Sequence, residues 1–280
     1  MVPAAIRSGA LEDGVVHACV VPLPTDVHRT RQMFALLSPA ERVRAARFAF
    51  DRDRRTFVMS HGILRTLLAA VSHGDPARLR FREGLRGKPY LVDAPAGLQF
   101  NLSHCEGYCL VGLGRGPAIG VDIECVRATD DMPQLVRQCF SAAERREFDA
   151  LPAGERSRGF FNGWTRKEAF IKAVGDGLSY PLEKFDVTLT PGQPPRLQAI
   201  GGSKRAAAAW SMAASEPAPG VLAAVAVAAP GVRVRWHTLS TVSIGTQMEE
   251  LHGGRGTRRH DHVSRGDEPR RAVFNLAGRS

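Results

Sequence analysis

Three carboxylates, an ammonium and a group of cationic and hydroxyl side chains are the residues here whose types and spacing could do chemistry. Asp122 and Glu124 stand two apart in Ile119-Gly-Val-Asp-Ile-Glu124. That run reads as a buried-type strand, so both side chains leave one face. No Lys or Arg stands beside them in the sequence, and adjacent carboxylates repel each other. A cation resolves the repulsion. Hard oxygen ligands suit Mg²⁺, which keeps several waters and takes phosphate oxygens at its remaining positions. Glu168 supplies a third carboxylate, and Lys172, four residues on, neighbours it on a helix surface. Plainer alternatives exist for each part: a strand end showing acids to water, and an ordinary helical ion pair beside a core stripe.

A second group is Phe100-Asn101-Leu-Ser103-His104, which puts Asn, Ser and His within five residues, just after a strand. A lone His is often structural, but this one follows Gly87-Lys88-Pro89, where Pro fixes the turn and Lys88 offers a point charge suited to phosphate. Arg42, Arg44 and Arg47 form a basic helix face whose plainer alternative is a solvated charge run.

The elements that must position these residues can be read in order. A strand is expected at 15–23. Ser38-Pro-Ala-Glu41 is a capping box with Pro at the first helical position, opening a basic helix over 42–48. A charged turn over 51–55 precedes a helix at 56–71. Strands are expected at 79–82, 98–101 and 109–113. The stretch 160–174 reads as an amphipathic helix, with Phe160, Trp164, Lys167/Glu168, Ile171 and Val174 at three- and four-residue steps. Strands at 185–189 and 221–228 complete a second sheet, and 232–239 is a last strand-like segment.

Part of this list repeats. Ser38 answers to Ser141, Phe57-x3-His61 to Phe160-x3-Trp164, and the strand from Val16 to the strand from Ile119, all at one constant displacement. Three elements in one order at one spacing predict a duplicated unit. The fold expected is α+β, two pseudo-symmetric lobes each made of a small sheet packed with helices, with the site in the cleft between them. Residues 1–117 are expected to form the first lobe and 118–240 the second. Residues 241–280, rich in Gly, Arg and His without periodicity, read as a disordered or loosely attached basic tail. Where the second copy has Asp122, Glu124 and Glu168, the first has Cys19, Val21 and Arg65. Acids therefore gather in the second lobe, a division suited to gripping a metal-bound polyphosphate.

Bulk composition agrees with an anionic ligand. The chain carries a formal charge of +10, and all but five of its 38 basic residues are arginine. The 241–280 stretch holds seven Arg against five acids, so the basic character belongs to the lobes. Five cysteines without disulfide-like spacing fit a reducing cytosol. Cys105 and Cys109 lack a second Cys/His pair to complete a zinc site. No signal-peptide core and no apolar run near the ~20 residues of a membrane span are visible. A soluble cytoplasmic protein with no membrane partner is expected.

Taken together, Gly87-Lys-Pro89, Phe100-Asn-Leu-Ser-His104, Ile119-Gly-Val-Asp-Ile-Glu124 and Trp164-Thr-Arg-Lys-Glu-Ala-Phe-Ile-Lys172 resemble the 4′-phosphopantetheinyl transferase superfamily, in its longer, two-lobed, surfactin-synthetase-associated type. The likeness runs from about Val15 to Leu239. It implies an enzyme that moves phosphopantetheine from coenzyme A to a serine of an acyl or peptidyl carrier protein, with Mg²⁺, releasing adenosine 3′,5′-bisphosphate. By the same resemblance Asp122, Glu124 and Glu168 are the metal positions. Glu168 is also the candidate base, directly or through a metal-bound water. Lys172 and Lys88 stabilise the diphosphate. Asn101, Ser103 and His104 form the coenzyme-binding run, His104 facing the 3′-phosphate with Arg44 and Arg47. Glu41 is a departure, acidic where some relatives carry lysine. A monomer serving secondary-metabolite carriers, with no nucleic-acid partner, is implied as well. The chief alternative is a basic nucleic-acid binder without catalysis, which the arginine excess suggests but which lacks a recognition helix or stacking platform. A catalytically silent scaffold is disfavoured by the presence of all three carboxylates and Lys172.

Overall fold

Two serine caps open corresponding halves of the molecule. Ser38 Oγ accepts from Glu41 N (3.3 Å) while Glu41 Oε2 accepts from Ser38 N (2.7 Å), and Ser141 and Glu144 repeat the exchange at 3.2 and 2.8 Å. Both capping boxes satisfy amides that a helix start leaves unpaired. The computed structural model describes residues 2–84, 87–175, 179–242 and 244–247.

In chain order the elements are α1 (Ala4–Arg7), β1 (Val15–Pro22), α2 (Val27–Leu36), α3 (Pro39–Ala46), α4 (Asp51–Ser72), β2 (Phe81–Glu83), β3 (Pro89–Leu91), β4 (Leu98–Cys105), β5 (Tyr108–Arg115), β6 (Ile119–Cys125), α5 (Met132–Cys139), α6 (Ala142–Asp149), α7 (Arg156–Val174), β7 (Phe185–Val187), β8 (Leu197–Ile200), α8 (Lys204–Ala208), β9 (Ser211–Ala218), β10 (Val221–Val227) and β11 (Arg233–Thr238). One sheet runs β11-β1-β5-β4 and another β6-β10-β9; β2-β3 and β7-β8 are separate antiparallel pairs. Set side by side, β1-β5-β4 and β6-β10-β9 share one strand order, α3 and α6 share one cap, and each long helix is followed by a two-stranded pair. The duplicated two-lobed α+β fold is therefore present.

Each lobe has its own core. Met33, Phe57, Ile63, Leu67 and Val111 belong to the first, and Phe140, Phe160, Phe170, Phe185 and Leu189 to the second. A third cluster (Val16, Leu110, Ile119, Val121, Ile123, Val225) lies between the sheets and joins the lobes. Gly112 permits that approach, because a Cβ there would stand 2.6 Å from Val121 Cγ1.

Several expectations need correction. Residues 51–55 are the first turn of α4, where Asp51 and Asp53 suit the positive end of the helix dipole. The Asn101-Ser103-His104 run lies inside β4 rather than after a strand. β7 pairs with β8 and takes no place in the second sheet. β11, from the stretch expected in the second lobe, pairs parallel to β1, Val15 opposite Arg233 and Val20 opposite Thr238. Leu239 and Ile244 then enter the first lobe's core. Of the expected tail, 243 and 248–280 lie outside the described residues.

Arg65, read above as a basic counterpart of Glu168, is committed to the interior of the first lobe. It is 1% exposed and pairs with Glu41 (Nη2 to Oε2 2.7 Å), donating also to Pro76 O and Leu79 O. Glu41 is thereby committed to the first lobe's interior, which accounts for an acid at that place. In the second lobe the equivalent pair is Glu144 with Lys167 (2.8 Å), one residue out of the sequence register. Both of its side chains are essentially inaccessible, and Lys167 also donates to Leu182 O and Phe185 O.

Candidate active site

α7 is not the simple amphipathic helix of the sequence reading. It lies against β6 and β10 on one side and near β7 on another, so most of its length is buried, Lys167 included. Between Gly159 and Ala173 what remains half-exposed is one stripe at four-residue steps: Trp164, Glu168 and Lys172. Gly120 brings that stripe to β6. A Cβ at Gly120 would sit 2.0 Å from Ala169 O and 2.3 Å from Ala173 N, so only a glycine admits the helix this close.

Asp122 is the hub. Lys172 Nζ lies 2.6 Å from Asp122 Oδ1, Ser103 Oγ donates to the same oxygen at 2.8 Å, and Lys172 also donates to Ser103 at 3.0 Å. The neighbour that the sequence did not show beside Asp122 thus comes from α7. Glu124 points to the same side, held by Trp164 Nε1 (3.3 Å) and loosely by Arg127 (3.5 Å). Glu168 makes no hydrogen bond or ion pair among the described residues. Burial, and then the Asp122 charge, push Glu124 and Glu168 each up to about 7. Burial pulls the Lys172 ammonium down, but Asp122 and Glu168 more than reverse this and leave it above the ordinary lysine value. Three acids thus compete for one ammonium.

This arrangement fits a divalent cation. Among the described residues Asp122 Oδ2 is buried with no hydrogen-bond partner, an uncommon state for a buried carboxylate oxygen. Glu168 is likewise uncommitted, and the donor set is all oxygen, as Mg²⁺ requires. Among the described residues no three His, Cys, Asp or Glu side chains already stand in a metal-holding arrangement. Lys172 occupies Asp122 Oδ1, and Glu124 and Glu168 flank it.

The first lobe contributes β4 and a basic corner. Asn101 is buried and its Oδ1 accepts from Val121 N (2.8 Å), so it stitches the edge strands β4 and β6 together. His104 keeps contact with solvent but is closely surrounded, and desolvation of its ring, then the Lys172 charge, lower its imidazolium pKa. Arg44 contributes to the same lowering and rests over the Phe57 ring, 5.3 Å from its centroid. Arg47 is exposed at the end of α3 and makes no side-chain bond among the described residues. Arg42 turns the other way, onto Ala35 O and the Phe34 ring. Lys88 crosses from the first lobe to donate to Ile119 O (2.7 Å), and burial lowers it to about 8.

One side chain of this corner escaped the sequence reading. His61 stacks on Phe57 (centroids 3.9 Å apart) and is pushed down to about 4 by burial, with His104 and Arg44 acting in the same direction. Its place in the repeat, matching Trp164, was the available signal: the two residues occupy corresponding turns of α4 and α7, Trp164 donating to Glu124 and His61 lying within the influence of His104.

The chain is similar to proteins of one kind across both lobes. A family model described as 4′-phosphopantetheinyl transferase superfamily matches residues 118–226, and one described as 4′-phosphopantetheinyl transferase, N-terminal, matches 24–113. The 4′-phosphopantetheinyl transferase HetI of Nostoc sp. is 37% identical over 225 residues, 79% of this chain and 92% of that protein. The 4′-phosphopantetheinyl transferase Sfp of Bacillus subtilis is 27% identical over 174 residues, 62% of this chain and 76% of its own. A solved Thermotoga maritima holo-[acyl-carrier-protein] synthase aligns with 40% of this chain and 63% of its own at 21% identity, with a TM-score of 0.32, too slight a likeness to argue from. On the strength of the match that spans nearly the whole of HetI, in a molecule built of two related lobes, this chain belongs to the 4′-phosphopantetheinyl transferase superfamily, in its longer two-domain form.

Proposed function

We propose that the protein transfers 4′-phosphopantetheine from coenzyme A to a serine of an apo acyl or peptidyl carrier protein, in a Mg²⁺-dependent reaction that releases adenosine 3′,5′-bisphosphate. The observation that carries this reading is the junction itself, where Asp122 with its unpartnered oxygen, Glu124 and Glu168 meet the basic corner of the other lobe.

Asp122, Glu124 and Glu168 would hold the metal. Bound there, Mg²⁺ would neutralise the diphosphate and stabilise the departing oxygen. Glu168, raised to about 7, is matched to taking the proton of the attacking serine hydroxyl, a contribution of about 10²–10⁴ in rate. Lys172 and Lys88 are assigned to the diphosphate. Arg44, Arg47 and the neutral His104 are assigned to the 3′-phosphate, with Asn101 and Ser103 fixing β4 beneath them. In this reading the 1–117 lobe, with β11 added, binds the coenzyme's phosphates, and the second lobe carries the metal and the base. A net positive surface suits carriers that present an acidic face. No described helix is long and apolar enough to cross a membrane. The proposal also includes a monomeric, cytoplasmic enzyme of secondary-metabolite carriers, with no nucleic-acid or membrane partner.

Incubating the purified protein with coenzyme A, Mg²⁺ and a panel of apo carriers, followed by intact-mass spectrometry, tests the reading. A carrier gaining one phosphopantetheinyl group supports it. Unchanged masses across fatty acid, polyketide and nonribosomal peptide carriers would refute it.

A further inference from the structure

Cys105 ends β4 and Cys125 ends β6, and their sulfurs lie 3.1 Å apart. These strands are the facing edges of two different sheets, so the pair lies on the seam already stitched by Asn101 to Val121 and Ser103 to Asp122. Both thiols are partly exposed, whereas Cys19, Cys109 and Cys139 are buried. Cys125 Sγ also lies 3.4 Å from Glu106 O, at the turn that joins β4 to β5.

We propose that Cys105 and Cys125 form a reversible disulfide that fastens the two lobes together at the rim of the acid cluster. The oxidant is a small-molecule disulfide of the glutathione type. The thiolate of one cysteine attacks a glutathione sulfur, the glutathione S–S bond breaks, and one glutathione thiolate leaves. The second cysteine then attacks the mixed disulfide, the protein S–S bond forms, and the second glutathione leaves. Two electrons pass to the oxidant, and the two cysteine protons end on the two glutathione thiols. Bonding requires the sulfurs to close to about 2.05 Å, a shift of roughly 1 Å.

That shift reaches the site by two routes. Arg127 donates both to Cys125 O (3.3 Å) and to Glu124 Oε2 (3.5 Å), so movement of Cys125 is passed to the carboxylate. Ser103, which donates to Asp122, is two residues from Cys105 on the same strand face. The bond itself stands on geometry alone, while its effect on turnover rests on the transferase reading.

The full chain, equilibrated in reduced and oxidised glutathione buffers, alkylated and mapped by peptide mass spectrometry, decides the matter. The expected result is a peptide pair joining Cys105 to Cys125, reversed by dithiothreitol, with Cys19, Cys109 and Cys139 still alkylatable after unfolding. Transfer by the bridged form should be about 10- to 10²-fold slower, as expected of a roughly 1 Å misplacement. Cys125→Ser should keep the reduced rate and ignore oxidised glutathione. Mixed glutathione adducts without a bridge, a bridge between other cysteines, or full turnover in the bridged form would overturn the proposal. A reduced protein that makes no product counts against the transferase reading instead, and the disulfide map still decides this one.

Discussion

The two oxygens of Asp122 live in different circumstances, and that asymmetry organises the site. Oδ1 takes both Lys172 and Ser103; Oδ2 is buried with no partner among the described residues. Glu124 and Glu168, each near 7, hold protons in the folded metal-free protein that they would release at ordinary carboxylate values when unfolded. Their stabilising contribution is therefore complete below about 4.5 and is lost as pH rises through about 7. The Tm of metal-free protein is expected to fall between pH 5.5 and 8, and Mg²⁺ to restore more of it at pH 8 than at 5.5. Thermal melts at both pH values check this; a Tm that rises with pH and ignores Mg²⁺ would contradict it. His104→Ala should raise KM for coenzyme A about tenfold with kcat little changed, the loss of one charge-assisted contact. Steady-state kinetics against coenzyme A measure the split. At this scale the sequence showed the acids well, because Asp-x-Glu on a strand must share a face. It could not show Lys172 seated on Asp122, because that contact joins residues fifty apart. The bond from Val121 N to Asn101 was hidden for a related reason: an amide side chain that bonds a backbone N–H looks the same in sequence as one that bonds a ligand.

The helix α7 and the strand β6 form one unit whose spacing is set by Gly120. Placing a methyl group there would collide with backbone atoms of Ala169 and Ala173, which cannot move aside as a side chain could. Gly120→Ala should destabilise the protein by about 1–3 kcal/mol or more. It should also slow transfer, since lifting α7 separates Glu168 and Lys172 from Asp122. Denaturant unfolding and turnover measured on the same preparation test both halves; a variant normal in each would show that the approach is not required. Helices with capping boxes were readable because Ser-x-x-Glu has a local mechanism, and α3 and α6 both use it. Other elements carried no such signal. β9 is Ser-Met-Ala-Ala-Ser-Glu-Pro-Ala, poor in β-branched residues, and is half-buried nearly throughout rather than alternating. α2 is polar along most of its length and shows only the Asp26 cap, which accepts from His28 N. The first turn of α4 looked like a charged turn because acid and arginine alternate there, yet its two Asp residues favour a helix start.

At the scale of the whole molecule the lobes are joined by the apolar cluster between the sheets, by the β4–β6 seam and by β11 crossing back to β1. His17 and His237, 3.0 Å apart across the β1–β11 pairing, fasten the crossing strand. A chain ended at Val232 would leave β1 as an open sheet edge and strip Leu239 and Ile244 from the first core. Such a truncation should lose cooperative unfolding or fall markedly in Tm, read by calorimetry; unchanged melting would show β11 to be ornamental. The duplication was legible because corresponding caps, strands and helices recur at one displacement. The return of β11 was not, since nothing in the six-residue run Arg-Val-Arg-Trp-His-Thr says which sheet it will extend.

The claim beneath all of this is that acids from one strand and one helix converge to bind a divalent cation. Calorimetric titration of Mg²⁺ into the protein saturated with coenzyme A tests it most directly, comparing the unaltered chain with Asp122→Ala and Glu168→Ala. One binding event in the unaltered protein, weakened at least about tenfold to 10²-fold in each variant while their folds persist, is the predicted result. Equal Mg²⁺ affinity in all three would contradict the account.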